Sequence, residues 1–123
     1  MSAPQSPVHP VPVQQGCDVT PAEAHRAAEA AEVLLVDVRE LHEWTAGHAP
    51  SAVHVPLGAL TPDSLPRDRP VVAVCRVGGR SGAAAEALAG IGYDVRNTVG
   101  GMLAWEAAGL PVVVDGGAPG TVV

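Results

Sequence analysis

Two kinds of segment stand out in the pattern of apolar and polar positions. VLLVDV at 33–38 and VVAV at 71–74 are short apolar runs rich in branched residues, without the alternation of a half-exposed strand. Such runs predict strands buried on both faces. Thr20 followed by Pro21 and Glu23 reads as a helix start, with a hydroxyl cap, a proline at the first helical position and an acid at the capping-box place. The helix is predicted to run to about Ala31. Gly47, Pro50 and Pro56 break the chain around a brief VHV strand at 53–55. GAAAEALA at 82–89 predicts a helix ended by Gly90 and Gly92, 93–98 a further strand, 102–108 a short helix stopped by Gly109, and 112–114 a last strand. Strands alternating with helices imply an α/β fold: a mainly parallel central sheet of about five short strands with helices on both faces.

Composition bounds what such a fold can do. Residues 1–15 carry four prolines and no periodicity and are expected to be a disordered tail; the domain is expected over 16–115, followed by a flexible tail over 116–123. Apolar residues make up 47% of the chain, yet Phe is absent and aromatics reach only 2%, so the core must be built from Val, Leu and Ala. All seven basic residues are arginines, and the formal charge of -6 argues against a nucleic-acid or anionic-membrane surface, either of which needs a basic face. Cys17 and Cys75 are too widely spaced for a secreted disulfide framework or paired zinc ligands, so a cytoplasmic protein is expected. No basic start leads into an apolar run, and no window reaches the roughly eighteen apolar residues of a membrane span.

VVAVCRVGGRSG, residues 71–82, is where chemistry enters. The predicted strand delivers Cys75 to the carboxyl end of the sheet, where open parallel sheets bind ligands. Behind it Arg76, Val77, Gly78, Gly79, Arg80 and Ser81 form a loop that can curl its backbone N–H groups toward the sulfur, the two glycines permitting the necessary angles. Those donors, the positive end of the following helix and two guanidiniums together favour thiolate over thiol. A thiolate is a nucleophile at neutral pH.

Three patches in order resemble the single-domain rhodaneses: CRVGGRS; LLVDVRELHEWTAGHAPSAVHVP, with its Asp-x-Arg, Glu-aromatic and Gly-His pairs; and VGGMLAWEAAGLPV, with its double glycine, tryptophan and Gly-Leu-Pro-Val. The resemblance covers about residues 17–114. It departs at Ala49, usually isoleucine, and Ser51, usually glycine, both in a turn away from the nucleophile. It implies a three-layer α/β/α fold and a sulfurtransferase in which Cys75 takes a sulfane sulfur from thiosulfate or another persulfide, holds it as a persulfide with no other cofactor, and passes it to cyanide or a thiol. Partners implied are a small anionic donor and a thiol acceptor such as glutathione or a thioredoxin-like protein, with the chain a monomer or weak dimer. N–H groups from Val77 to Ser81 are expected to hold the charged outer sulfur. Arg76 is expected to meet the anionic donor, because its fork matches two sulfonate oxygens. Arg80 is expected to turn back to Glu43 as a loop brace, the alternative being direct contact with the substrate. Asp37 and Arg39 are expected either to support the loop from beneath or to form an internal ion pair that holds the fold.

Two other readings stay open. Cysteine-dependent phosphatases and arsenate reductases use related loops, but the phosphatases place arginine at the sixth position after the cysteine, where this chain has Ser81, with Arg80 at the fifth. A non-catalytic rhodanese-like binding or regulatory module commonly lacks the cysteine that is present here. His42, His48 and His54 share no helix or strand face, so no metal site is expected, and His48 reads as a turn residue whose ring satisfies backbone groups. Cys17 is expected to be buried in an opening strand. Trp44 and Trp105 are expected at the core edge.

Overall fold

The computed structural model describes residues 18–123. The expected tail over 1–15 and Cys17 lie outside the described residues. Helix α1, Pro21–Glu29, begins as its sequence predicts: the Glu23 N–H donates to Thr20 Oγ1 at 3.1 Å and the Thr20 N–H to Glu23 Oε1 at 2.8 Å. Strand β1 spans Leu34–Asp37, helix α2 Leu41–Ala46, strand β2 Val53–His54, strand β3 Val71–Val74, helix α3 Gly79–Gly90, strand β4 Val95–Asn97 and helix α4 Gly101–Ala107, with a 3-10 turn at Leu57–Ala59. All pairings between these strands are parallel, in the order β2-β1-β3-β4. Every carboxyl end therefore lies along one edge of the sheet.

Alternation along the strands divides the core. Val36 and Val71 face one way, packing with Leu65, Leu88, Tyr93 and Val95 under α3. Leu35, Val72 and Val74 face the other, packing with Ala24 of α1 and with Met102 and Trp105 of α4. The result is three layers, with β1 and β3 covered on both sides. Trp105 is fully buried at the centre of its layer rather than at the core edge, its Nε1 donating to the Pro111 carbonyl at 2.9 Å. Trp44 lies half-buried, stacked on His48 and on His54 with centroid separations of 3.6 and 4.9 Å.

Among the described residues the sheet has four strands, where about five are expected from the sequence. Residues 112–114 form no strand: Val113 makes single antiparallel bridges to His48 and Pro119, because the chain folds back on itself through Gly116 and Gly117. The segment after 115, expected to be a free tail, is tied down. Gly120 N–H donates to the Val112 carbonyl at 2.8 Å, Thr121 N–H to Ala46 at 3.0 Å, and Val122 packs against the α1/α4 layer. Helix α2 is an element the apolar pattern did not predict. At six residues it is too short to carry a period, and its start is marked by Glu40 and Glu43, whose carboxylate accepts the Glu40 N–H at 2.9 Å. Among the described residues, no helix is long and apolar enough to cross a membrane.

Candidate active site

β3 ends at Val74, and Cys75 follows at 1% exposure. Gly78 sits in the left-handed region at φ +109° and caps α3, which begins at once with Gly79. This reversal turns the loop over the sulfur. The Gly78 N–H donates to Sγ at 3.1 Å and the Ser81 hydroxyl lies 3.2 Å from it. Burial is the largest single influence on the thiol and pushes its pKa up. The Ser81 hydroxyl and the backbone N–H groups of Ser81, Gly78 and Val77 together outweigh it, leaving the pKa below the ordinary thiol value.

The sequence treats Gly78 and Gly79 alike, but the two are not equivalent. Gly79 has ordinary helical backbone, and a Cβ built on it meets nothing within 4 Å. Gly78→Val should therefore lower the reactivity of Cys75 toward an alkylating agent, whereas Gly79→Ala should leave it unchanged and add about 0.5–1 kcal/mol of stability. Alkylation rates and urea unfolding of both variants check the contrast; equal loss in both would contradict it.

Arg80 and Glu43 are brought together by α3 and α2. Two parallel bonds join them, Nη1 to Oε1 at 2.7 Å and Nη2 to Oε2 at 2.9 Å. That fork holds the Glu43 carboxyl down at about 2, aided by the Glu40 N–H and opposed by burial, and raises the Arg80 pKa in turn. Cys75 lies close enough to add to the electrostatic stabilisation of the Arg80 cation. Because the Glu43 pKa is depressed on folding, the stability it contributes is complete above its ordinary value of 4.5 and is lost as pH falls from there toward about 2. Urea unfolding between pH 6 and pH 2.5 should show a loss in this window that Glu43→Gln removes. Arg80→Ala and Glu43→Gln should each cost about 1–2 kcal/mol at neutral pH, discounted for the partly exposed arginine, and the double variant little more than either alone. Additive losses would contradict a coupled pair.

Asp37 and Arg39 are both fully buried and paired through Arg39 Nη2 and Asp37 Oδ2 at 2.8 Å, with Arg39 Nε 2.9 Å from Asp37 Oδ1. Arg39 Nη2 also donates to the Gly47 carbonyl at 2.7 Å. These bonds tie β1 to the end of α2, the helix that carries Glu43, and make no direct contact with the cysteine loop. Their support of that loop is indirect. Arg76, next to Cys75 in the chain, is exposed, its Nε donating to the Val123 carbonyl at 3.0 Å. His48 caps a turn, with Nδ1 3.1 Å from the Ala49 carbonyl and Nε2 3.1 Å from Asp115 Oδ1. Among the described residues, no group of histidines, cysteines or carboxylates could hold a metal ion.

Residues 20–108 match the profile of the rhodanese-like domain, which covers most of the chain. The chain belongs to the rhodanese-like domain family. A sulfurtransferase from Allochromatium vinosum is 39% identical over 97 residues, covering 76% of this chain and 91% of that protein. An HTH-type transcriptional regulator from Mycobacterium tuberculosis is 43% identical over 106 residues, covering 82% of this chain and 46% of the regulator. This chain thus spans less than half of that relative. The crystal structure of a rhodanese-related protein from Thermoplasma volcanium superposes with a TM-score of 0.72 at 28% identity, covering 80% of this chain and 98% of that one.

Two residues of this rhodanese-like site are not singled out by the sequence. Asn97, at the end of β4, accepts the Ser81 hydroxyl at 2.6 Å and donates from Nδ2 to the Gly78 carbonyl at 3.1 Å. Gly101 opens α4 with φ +61°, and a Cβ there would lie 2.4 Å from the Cys75 carbonyl oxygen. Next to it the Met102 and Leu103 N–H groups donate to the Cys75 and Arg76 carbonyls at 2.8 and 3.0 Å. The loop is thus held at its sulfur by α3 and at its carbonyls by α4. The double glycine before the last helix was the available signal for Gly101; for Asn97 there was none.

Proposed function

We propose that this rhodanese-like domain is a sulfurtransferase that moves a sulfane sulfur through a persulfide on Cys75. The observation that carries the reading is a thiol of lowered pKa enclosed by the Gly78 N–H and the Ser81 hydroxyl. With thiosulfate as donor, the Cys75 thiolate attacks the outer sulfur. The new S–S bond forms as the sulfur–sulfonate bond breaks, and sulfite leaves with the bonding pair. Cyanide or a thiolate such as that of glutathione or a thioredoxin-like protein then attacks the outer sulfur of the persulfide, and Cys75 departs as thiolate. Donors that face the sulfur from a fixed backbone stabilise charge on it in both steps without a general base. Arg76, exposed and next to Cys75 in the chain, is suited to steer an anionic donor.

Arg80 argues against phosphoryl chemistry. Both of its outer nitrogens are engaged by Glu43, so the guanidinium braces the loop instead of lining a cradle for a tetrahedral oxyanion. The regulator relative favours a second setting for the same chemistry, a rhodanese-like domain within a longer regulatory protein, and the intact cysteine loop is compatible with it. Steady-state assays separate the classes: thiocyanate should form from thiosulfate and cyanide, with no phosphate released from an aryl phosphate. Phosphate release without thiocyanate would reverse the assignment, and neither activity would point to a binding module.

A further inference from the structure

We infer that Asn97 is a positioning residue that competes with the Cys75 sulfur for the single hydroxyl proton of Ser81. Ser81 is fully buried, and its Oγ lies 2.6 Å from Asn97 Oδ1, 3.2 Å from Cys75 Sγ and 3.4 Å from the Gly78 carbonyl oxygen. A hydroxyl has one proton, so it cannot serve these acceptors together. The Asn97 amide cannot turn round to relieve the conflict. Its Nδ2 donates to the Gly78 carbonyl, and flipping it would set one carbonyl oxygen against another. Strand register fixes the residue there: Asn97 pairs with Ala73, two residues before the nucleophile.

Which acceptor wins depends on the charge of the sulfur. Against a neutral sulfur the amide oxygen is the better acceptor, and its short distance suits O–H···O geometry. Against a thiolate the charge-assisted bond to sulfur is roughly twice as strong as a neutral one, and the hydroxyl turns toward it. Ser81 thereby follows the charge by rotation about its Cβ–Oγ bond, with no covalent bond made or broken. The catalytic use of this rotor rests on the sulfur-transfer reading. The proton would turn to Asn97 when Cys75 becomes the uncharged inner sulfur of a persulfide, and back when Cys75 leaves as thiolate. Asn97 thus keeps the resting sulfur less acidic than Ser81 and the loop alone would make it.

The test needs no sulfur donor, so its failure is distinguishable from failure of the sulfur-transfer reading. The rate of Cys75 carbamidomethylation by iodoacetamide, followed on the Cys75 peptide across pH, reports the thiolate midpoint. Asn97→Ala should lower that midpoint by about 0.5–1 pH unit, the difference between a shared and an undivided hydroxyl donor. Ser81→Ala alone should raise it, and adding Asn97→Ala to Ser81→Ala should move it no further, since the amide acts through the hydroxyl. Asn97→Leu, similar in volume and without an acceptor, should repeat the Asn97→Ala shift if the smaller residue leaves the fold unstable. No shift, an upward shift, or the same shift with and without Ser81 would overturn the inference.

Discussion

Cys75→Ser should abolish thiosulfate:cyanide sulfur transfer, lowering turnover by at least about a thousandfold, while leaving the circular dichroism and the unfolding midpoint close to those of the unsubstituted chain. A serine hydroxyl has a far higher pKa than a thiol, and the donors that lower the Cys75 pKa cannot bring an alcohol within reach of neutral pH. Nor can oxygen carry the transferable sulfur through a persulfide. The substitution is conservative in shape, and the oxygen can still accept from the Gly78 N–H, so loss of activity will not report loss of fold. Cys17→Ser is the contrast, and should retain most activity. Thiocyanate formation by the two variants is the measurement; activity in Cys75→Ser, or its loss in Cys17→Ser, would place the nucleophile elsewhere.

Gly101→Ala should be the most damaging single methyl group that can be added near the site. Its φ of +61° is the left-handed region, which costs an L-residue about 1–2 kcal/mol. The added carbon would also sit 2.4 Å from the Cys75 carbonyl oxygen and 2.5 Å from that of Arg76. Both are backbone atoms that cannot swing aside. Relief requires α4 and the loop to separate, stretching the bonds from Met102 and Leu103 N–H, each worth about 1 kcal/mol. A total loss of about 3 kcal/mol follows, with turnover falling roughly a hundredfold because the loop carbonyls anchor the N–H groups that face the sulfur. Urea unfolding beside thiocyanate assays tests this. Near-normal stability and turnover would mean that α4 does not hold the loop.

What the sequence made legible was what short-range chemistry determines. The capped start of α1, the doubly buried strands and the cysteine loop each rest on residues within a few positions of one another, and CRVGGRS concentrates the site's chemistry in one segment. Glu43 and Arg80 are paired in the sequence only by the family resemblance, since nothing local links them. What stayed hidden depends on register and close approach. Asn97 reaches Ser81 because β4 pairs with β3 at Ala73, a choice invisible in DVRNTVGG. The need for glycine at 101 arises from the backbone of another segment, and the freedom of Gly79 from its place inside the first turn of α3. The 112–114 run reads as a strand, yet Gly116 and Gly117 turn it back on itself before it can join the sheet.

The central claim, that Cys75 is a sulfur carrier, is tested most directly by the intact mass of the protein after incubation with thiosulfate and removal of excess reagent. A gain of one sulfur atom, located on the Cys75 peptide and discharged by cyanide or a thiol, is the predicted result. An unchanged mass, or an added sulfur on another residue, would contradict it.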